Sequence, residues 1–344
     1  MIPLELPPVG IAGTGVYIPS TVITGQEIAE RAGLPEFVVL DKMGIREVHV
    51  AGPDDTITAM ASHAAHRALE AAGLDPLDIN AVVYHGSEYK DHIVWSAASK
   101  IQHLVGASNA YAFEMYALCA GAPIAYKAVR DMMRVDERLQ NVLLVTASRE
   151  NDLIDYGNMR TRFMFNFGAG GGAMIFQRGL DHNRVLESAV KTDGSLADTV
   201  VMTPAEDRVA LLPSEMGTLH GRLDVFNADY MAERLGAVSL DNFAAVITEA
   251  VERSGHTLAD LRFLAITHMK HSFYSEILAA VGLTPEQSVY LDHFGHIQSV
   301  DQVLALELGL EQGKIHDGDL IVLAGAGTGY TWSATAVEWG YSNC

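Results

Sequence analysis

Two stretches of this 344-residue chain repeat one another. Residues 70–87 read EAAGLDPLDINAVVYHGS, and residues 252–269 read ERSGHTLADLRFLAITHM. Gly73 and Gly255 stand 182 positions apart, and Asp78 and Asp260 keep that offset. In each copy an amphipathic helical pattern ends at a glycine, where helices commonly exit. A short turn and an apolar run follow, Ala81–Tyr84 in one copy and Phe263–Thr267 in the other. Continuous apolar runs of this length suit strands buried on both faces. A second echo lies downstream: NVLLVTAS (141–148) matches DLIVLAGAG (319–327) in type. Each is followed by a Gly-rich turn, in FGAGGGAMIF (167–176) and in GAGTGYTWSATAV (325–337). Helices alternating with buried strands give an α/β fold of layered helices and sheets. The repeat predicts two duplicated halves, 1–178 and 179–344, related by a pseudo-twofold, with the functional site at their joint.

Bulk properties exclude several functions. A formal net charge of −20 argues against nucleic acid, which is bound by neutralising phosphates with Lys and Arg. An acidic partner would need a local basic patch on this background. No apolar stretch approaches the roughly 20 residues of a membrane helix. The N-terminus lacks the basic and apolar regions of a secretory signal. The two cysteines, Cys119 and Cys344, are too few for a disulfide framework, so a reducing cytoplasm is the expected compartment.

Cys119 lies in AFEMYALCAGAPIAYKAVRDMM (112–133). An apolar run leads into it; Ala120, Gly121 and Ala122 follow, then Pro123 and a helical pattern. Pro in a first turn marks a helix start. The cysteine is therefore expected on a tight strand-to-helix turn, its sulfur at a helix N-terminus that favours thiolate. Small neighbours would let a substrate carbonyl approach the backbone.

The segment WSAASKIQHLVGASNAYAFEMYALCAG (95–121) resembles the nucleophile segment of the ketoacyl-ACP synthase III branch of the thiolase-fold superfamily. GIAGTGVYIPSTVITGQEI (10–28), KMGIREVHVA (42–51), FGAGGGAMIF and GTGYTWSATAV (327–337) resemble further family motifs in the right order. The resemblance implies a thiolase-like fold, a homodimer and an acyltransferase whose nucleophile is Cys119. It places His268, after the strand FLAIT, at the family's catalytic histidine. In HFGHIQSVDQVLALELGL (293–310) Gly295 matches the family glycine, but His296 stands where an asparagine is usual. His271 replaces another asparagine, and Ala169 an aspartate. The N–H groups of Cys119 and Thr328 are implied as an oxyanion hole. Lys42, Arg160 and Arg162 are candidates for contacts to the phosphates of CoA or pantetheine, and Arg suits phosphate bidentately. Val94 and Trp95 fall where family members line the acyl pocket.

The leading expectation is an acyl-Cys119 thioester, formed from acyl-CoA or acyl carrier protein and condensed decarboxylatively with a malonyl thioester. His268 and His296 would stabilise the enolate. The runner-up sends the acyl group to a hydroxyl or amine, with a histidine as base. A third reading rests on Glu88, in YHGSEYKD, which is reminiscent of the acid/base glutamate of hydroxymethylglutaryl-CoA synthases; His271 is a further acid/base candidate. No cofactor is implied. The glycine loops lack the layout of a dinucleotide site, and the pairs His268/His271 and His293/His296 lack further ligands for zinc.

Overall fold

The computed structural model describes residues 6–202 and 221–341. Its main sheet contains β1 (Val9–Tyr17), β2 (Ala81–Gly86), β3 (Tyr111–Tyr116), β4 (Asn141–Ser148), β5 (Gly170–Arg178), β6 (Arg184–Thr192), β7 (Leu261–Ile266), β8 (Leu320–Gly327) and β9 (Thr331–Glu338). The strand order is β7-β8-β9-β6-β1-β5-β4-β2-β3. The centre is a single pairing, Gly10 with Arg184, between β1 and β6. Outward from it the two sides mirror each other: β1-β5-β4-β2-β3 on one, β6-β9-β8-β7 on the other. An isolated parallel bridge from Leu264 to Ser288 continues the second side as β3 continues the first.

The helices explain why both faces of these strands are apolar. They are α1 (Ile57–Ala72), α2 (Ala97–Val105), α3 (Gly121–Val135), α4 (Ala228–Arg253), α5 (His271–Ala280) and α6 (Asp301–Glu311). Helices α1 and α2 cover the outer face of the first side, and α4 and α5 that of the second. Helices α3 and α6 lie between the sides and touch strands of both. Three apolar cores result. One lies under α1 and α2, one under α4 and α5, and the third surrounds α3 and α6 with Ala125, Val129, Val303 and Leu306. Strands β2, β4 and β8 therefore read as unbroken hydrophobic runs rather than alternating ones.

The repeated segments fold alike. Helix α1 exits at Gly73 (φ +64°), and the helix α4 chain turns at Gly255 (φ +84°). A short 3₁₀ turn follows each, Pro76–Asp78 and Leu258–Asp260. In each turn the aspartate carboxylate accepts the N–H three residues upstream, Asp75 N to Asp78 at 3.1 Å and Thr257 N to Asp260 at 2.8 Å. That local cap is what the shared offset encoded. No helix among the described residues is long and apolar enough to cross a membrane.

One buried group gives the fold a pH dependence. His85, in β2, packs edge-on against Tyr126 of α3, and its Nδ1 has no partner among the described residues. Burial lowers its pKa to about 3, so the folded ring stays neutral while the unfolded chain takes up a proton below about pH 6.5. Stability then falls as pH drops from about 6.5 to about 3, at up to about 1.4 kcal/mol per unit from this residue. The thermal midpoint of the wild type should drop more steeply over that range than that of His85→Leu; equal slopes would refute the assignment.

Candidate active site

The chain leaves β3, turns through Leu118–Ala120 and enters α3 at Gly121. Cys119 sits on this turn, 4 % exposed, and Leu118 before it has φ +51°. The turn is clasped from the second side of the molecule. Ser299 Oγ donates to Leu118 O at 2.8 Å, and Ser333 Oγ donates to Ala120 O at 2.9 Å. The end of β8 runs so close that a Cβ at Gly327 would lie 2.8 Å from Ala117 O and 3.1 Å from Cys119 N. Glycine is required there by contact with backbone.

The second side supplies a matching turn. Gly295 has φ +76°, and a Cβ on it would meet Asn166 O at 2.2 Å. His296 is fixed through its backbone: its N–H donates to Asn166 O at 2.7 Å and its carbonyl accepts from Gly168 N at 2.9 Å. Its ring then points at the nucleophile, with Nε2 2.9 Å from Cys119 Sγ. Nδ1 lies 2.6 Å from Asp301 Oδ2. Asp301 opens α6 and is fully buried. Its carboxylate also accepts the N–H of His268 at 2.8 Å and of Ile297 at 2.7 Å.

The surroundings push the two histidines in opposite directions. Burial alone would lower the pKa of His296; the adjacent Cys119 sulfur and the Asp301 carboxylate outweigh it and hold the pKa well above the ordinary value. For His268 burial dominates and lowers the pKa to about 4, against the pull of Asp301 and the Gly44 carbonyl. Asn166 Nδ2 donates to His268 Nδ1 at 2.8 Å, so the neutral ring carries its proton on Nε2. That Nε2 is buried, and the Gly44 carbonyl is the backbone acceptor that acts on the ring. The group can therefore do three things: activate a thiol, move a proton at His296 Nε2, and offer an N–H from His268.

Two cavities open beside Cys119 and Thr328, which line both. The first, about 540 Å³, holds His268 and His296 and has Lys42, Arg162 and Lys270 in its wall. The second, about 390 Å³, contains Ser87, Glu88, Glu150 and Gln298.

The structure brings Cys119, His268, His296 and Thr328 together, and sets Lys42 and Arg162 at the first cavity. Other expected residues stand elsewhere. Arg160 lines neither cavity; it is spent on an ion pair with Asp224, at 2.5 Å. His271 is exposed at the start of α5 and packs edge-on against Tyr290, outside the cluster. His293, exposed, faces Glu47 at 3.4 Å, so neither H-x-x-H pair converges. Glu88 is exposed at the second cavity, and the buried carboxyl there belongs to Glu150. Val94 is fully exposed, and Trp95 packs on His92; Ile93 and His92 line the second cavity instead. Cys344 lies outside the described residues. Sequence reasoning missed Asp301, Asn166 and Lys270. Only Asp301 carried a signal, an acidic residue at a helix start five positions after His296.

A family profile described as 3-oxoacyl-[acyl-carrier-protein] synthase III matches residues 113–194, and that of its C-terminal part matches residues 251–339. The beta-ketoacyl-[acyl-carrier-protein] synthase III of Sphingopyxis alaskensis is 27% identical over 330 residues, covering 95% of this chain and 98% of the relative. The crystal structure of 3-oxoacyl-[acyl-carrier-protein] synthase III from Aquifex aeolicus superposes with a TM-score of 0.83 at 23% identity, over 96% of this chain and 100% of that one. The priming beta-ketosynthase of the R1128 polyketide pathway gives 0.84 at 24% identity, over 98% of each chain.

The Cys119–His296 contact can be tested without substrate. The thiolate is the reactive form, and the His296 ring, 2.9 Å from the sulfur, is placed to take up the thiol proton. Iodoacetamide at pH 6 should alkylate Cys119 about 10- to 100-fold more slowly in His296→Gln than in wild type, read on the Cys119 peptide by mass spectrometry. An unchanged rate would separate the ring from the sulfur's reactivity.

Proposed function

Since the chain belongs to the 3-oxoacyl-[acyl-carrier-protein] synthase III family of thiolase-like condensing enzymes and is an acyltransferase of that kind, we propose that it passes an acyl group from a thioester, through Cys119, to a hydroxyl or amine. The observation that supports this acceptor is the relay Cys119–His296–Asp301. A decarboxylating malonyl group makes its own carbanion and needs no base. A hydroxyl or amine must lose a proton as it attacks. The family's asparagine cannot accept one; a histidine backed by a buried carboxylate can.

The steps balance as follows. Cys119 thiolate attacks the thioester carbonyl of an acyl-CoA or acyl carrier protein, and the backbone N–H groups of Cys119 and Thr328 hold the oxyanion. The intermediate collapses to acyl-Cys119, and His296 protonates the departing thiolate. The acceptor O–H or N–H then gives its proton to His296 Nε2 as its heteroatom attacks the acyl carbon. Expulsion of Cys119 as thiolate beside imidazolium restores the starting pair. Lys42, Arg162 and Lys270 are the cations for the phosphates of CoA or a carrier's pantetheine arm.

Decarboxylative condensation is the second reading. It is favoured by His268, a ring in the wall of the first cavity beside Cys119 that could hold an enolate oxygen. Glu88-based condensation draws no support from an exposed side chain. We include a homodimer in the proposal: β3 is an edge strand with Tyr111 and Tyr116 exposed, and Ile93 and Val94 are exposed close by in sequence to that edge's helix α2. The division into halves 1–178 and 179–344 is likewise proposed; the mirrored strand order supports it.

The discriminating variant is His296→Asn. Acyl-Cys119 should still form, more slowly, by intact mass, while transfer to the acceptor falls about 10²- to 10⁴-fold and no carbon dioxide is released from malonyl-CoA. Carbon dioxide release coupled to product, retained in His296→Asn, would overturn the proposal in favour of condensation.

A further inference from the structure

The second cavity carries polar groups that the relay does not use. Glu150 is 5 % exposed and Gln298 is 3 % exposed, both in its wall. Gln298 Nε2 donates to Glu150 Oε2, and the Ser87 hydroxyl also bonds the Glu150 carboxyl. Gln298 is held at φ +55°, a conformation rarely adopted outside glycine. Its Oε1 is buried and without a partner among the described residues. Burial raises the pKa of Glu150, against the opposing effects of Ser87, Gln298 and the His296 charge. Leu153, Met164 and Phe167 supply apolar wall in the same cavity. Glu150 and Gln298 both line this cavity, and a purely hydrocarbon acyl chain there would offer their polar groups no partner, which is costly.

The cations Lys42, Arg162 and Lys270 mark the first cavity as the way in for a phosphate-bearing arm. The group beyond the thioester carbonyl then lies in the second cavity. We propose that this cavity selects an acyl group bearing a hydroxyl, whose O–H donates to the Gln298 side-chain carbonyl and whose oxygen accepts from the acid O–H of a protonated Glu150 carboxyl. A hydroxyl can do both at once. An ammonium can only donate, and it would sit near the positive His296; a carboxylate offers no donor to Gln298.

The inference rests on Cys119 being the acylated residue, and the test separates the two claims. Acylation of Cys119 is followed by intact mass with butyryl-CoA, 2-, 3- and 4-hydroxybutyryl-CoA and 4-aminobutyryl-CoA. One of the hydroxybutyryl thioesters should load with kcat/KM at least about tenfold above butyryl-CoA, the size expected for one or two buried hydrogen bonds. Glu150→Leu should reverse that order, and Glu150→Gln should retain it. Equal loading of butyryl and every hydroxybutyryl thioester by the wild type, or a preference for the butyryl or amino thioester, overturns the hydroxyl proposal while leaving Cys119 as nucleophile. Absence of label at Cys119 from every thioester overturns both. The wild-type comparison decides even if Glu150→Leu does not fold.

Discussion

Everything at this site hangs on the carboxylate of Asp301. It is fully buried, and removing a carboxylate from water is expensive unless the protein answers it with donors. Three donors converge: the ring of His296 and the backbone N–H groups of His268 and Ile297. Each belongs to a different functional need. The first aims the imidazole at Cys119; the second anchors the loop that carries His268; the third closes the turn into α6. Asp301 also stands in the first turn of that helix, where a negative charge is favoured. One group thus fixes two catalytic candidates and a helix start, so its loss would disturb geometry and charge together.

The duplicated architecture makes this convergence possible. Each side of the molecule runs from its outermost extended segment into a tight turn leading to an inner helix, α3 after Cys119 and α6 after His296. Because both inner helices share one apolar layer, their N-termini are packed as a unit. The contacts of Ser299 with Leu118 and of Ser333 with Ala120 cross between the sides at the turn itself. A rigid layer matters here, since a shift of a few tenths of an ångström would open the 2.9 Å approach of His296 to Cys119.

Much of this was legible in the sequence, for definable reasons. The strands announced themselves as unbroken apolar runs because both faces are covered, and the Gly73 and Gly255 exits fell where their helices turn. Cys119 was legible from small residues and a proline at a helix start. The departures share another cause: sequence shows a residue's type but not its partner. Arg160 reads as a free cation until Asp224 is found beside it. Asp301 reads as an ordinary helix-start acid, and its burial is a tertiary fact. Glu150 sits in SREND, a polar string that suggests a solvated loop, yet the fold turns its carboxyl inward. His271 looks equivalent to His268 by spacing, but it lies at the exposed start of α5.

The relay also has a consequence for timing. The Cys119 sulfur is among the influences that raise the pKa of His296, alongside Asp301 and against burial. In the proposed reaction, acylation of Cys119 would remove the sulfur's support, and only Asp301 would continue to favour the imidazolium in a site where desolvation disfavours charge. Acylation therefore makes His296 a weaker acid-holder at the moment a leaving thiolate needs a proton, and leaves a neutral ring facing the acyl group. A neutral ring with Nδ1–H held by Asp301 has its Nε2 lone pair directed to where an acceptor would approach. His268, whose pKa burial lowers to about 4 and whose ring is held by Asn166, would not change state in that cycle. In the proposed reaction, proton traffic would then be confined to one imidazole, and acylation of the nucleophile would set when that imidazole acts as acid and when as base.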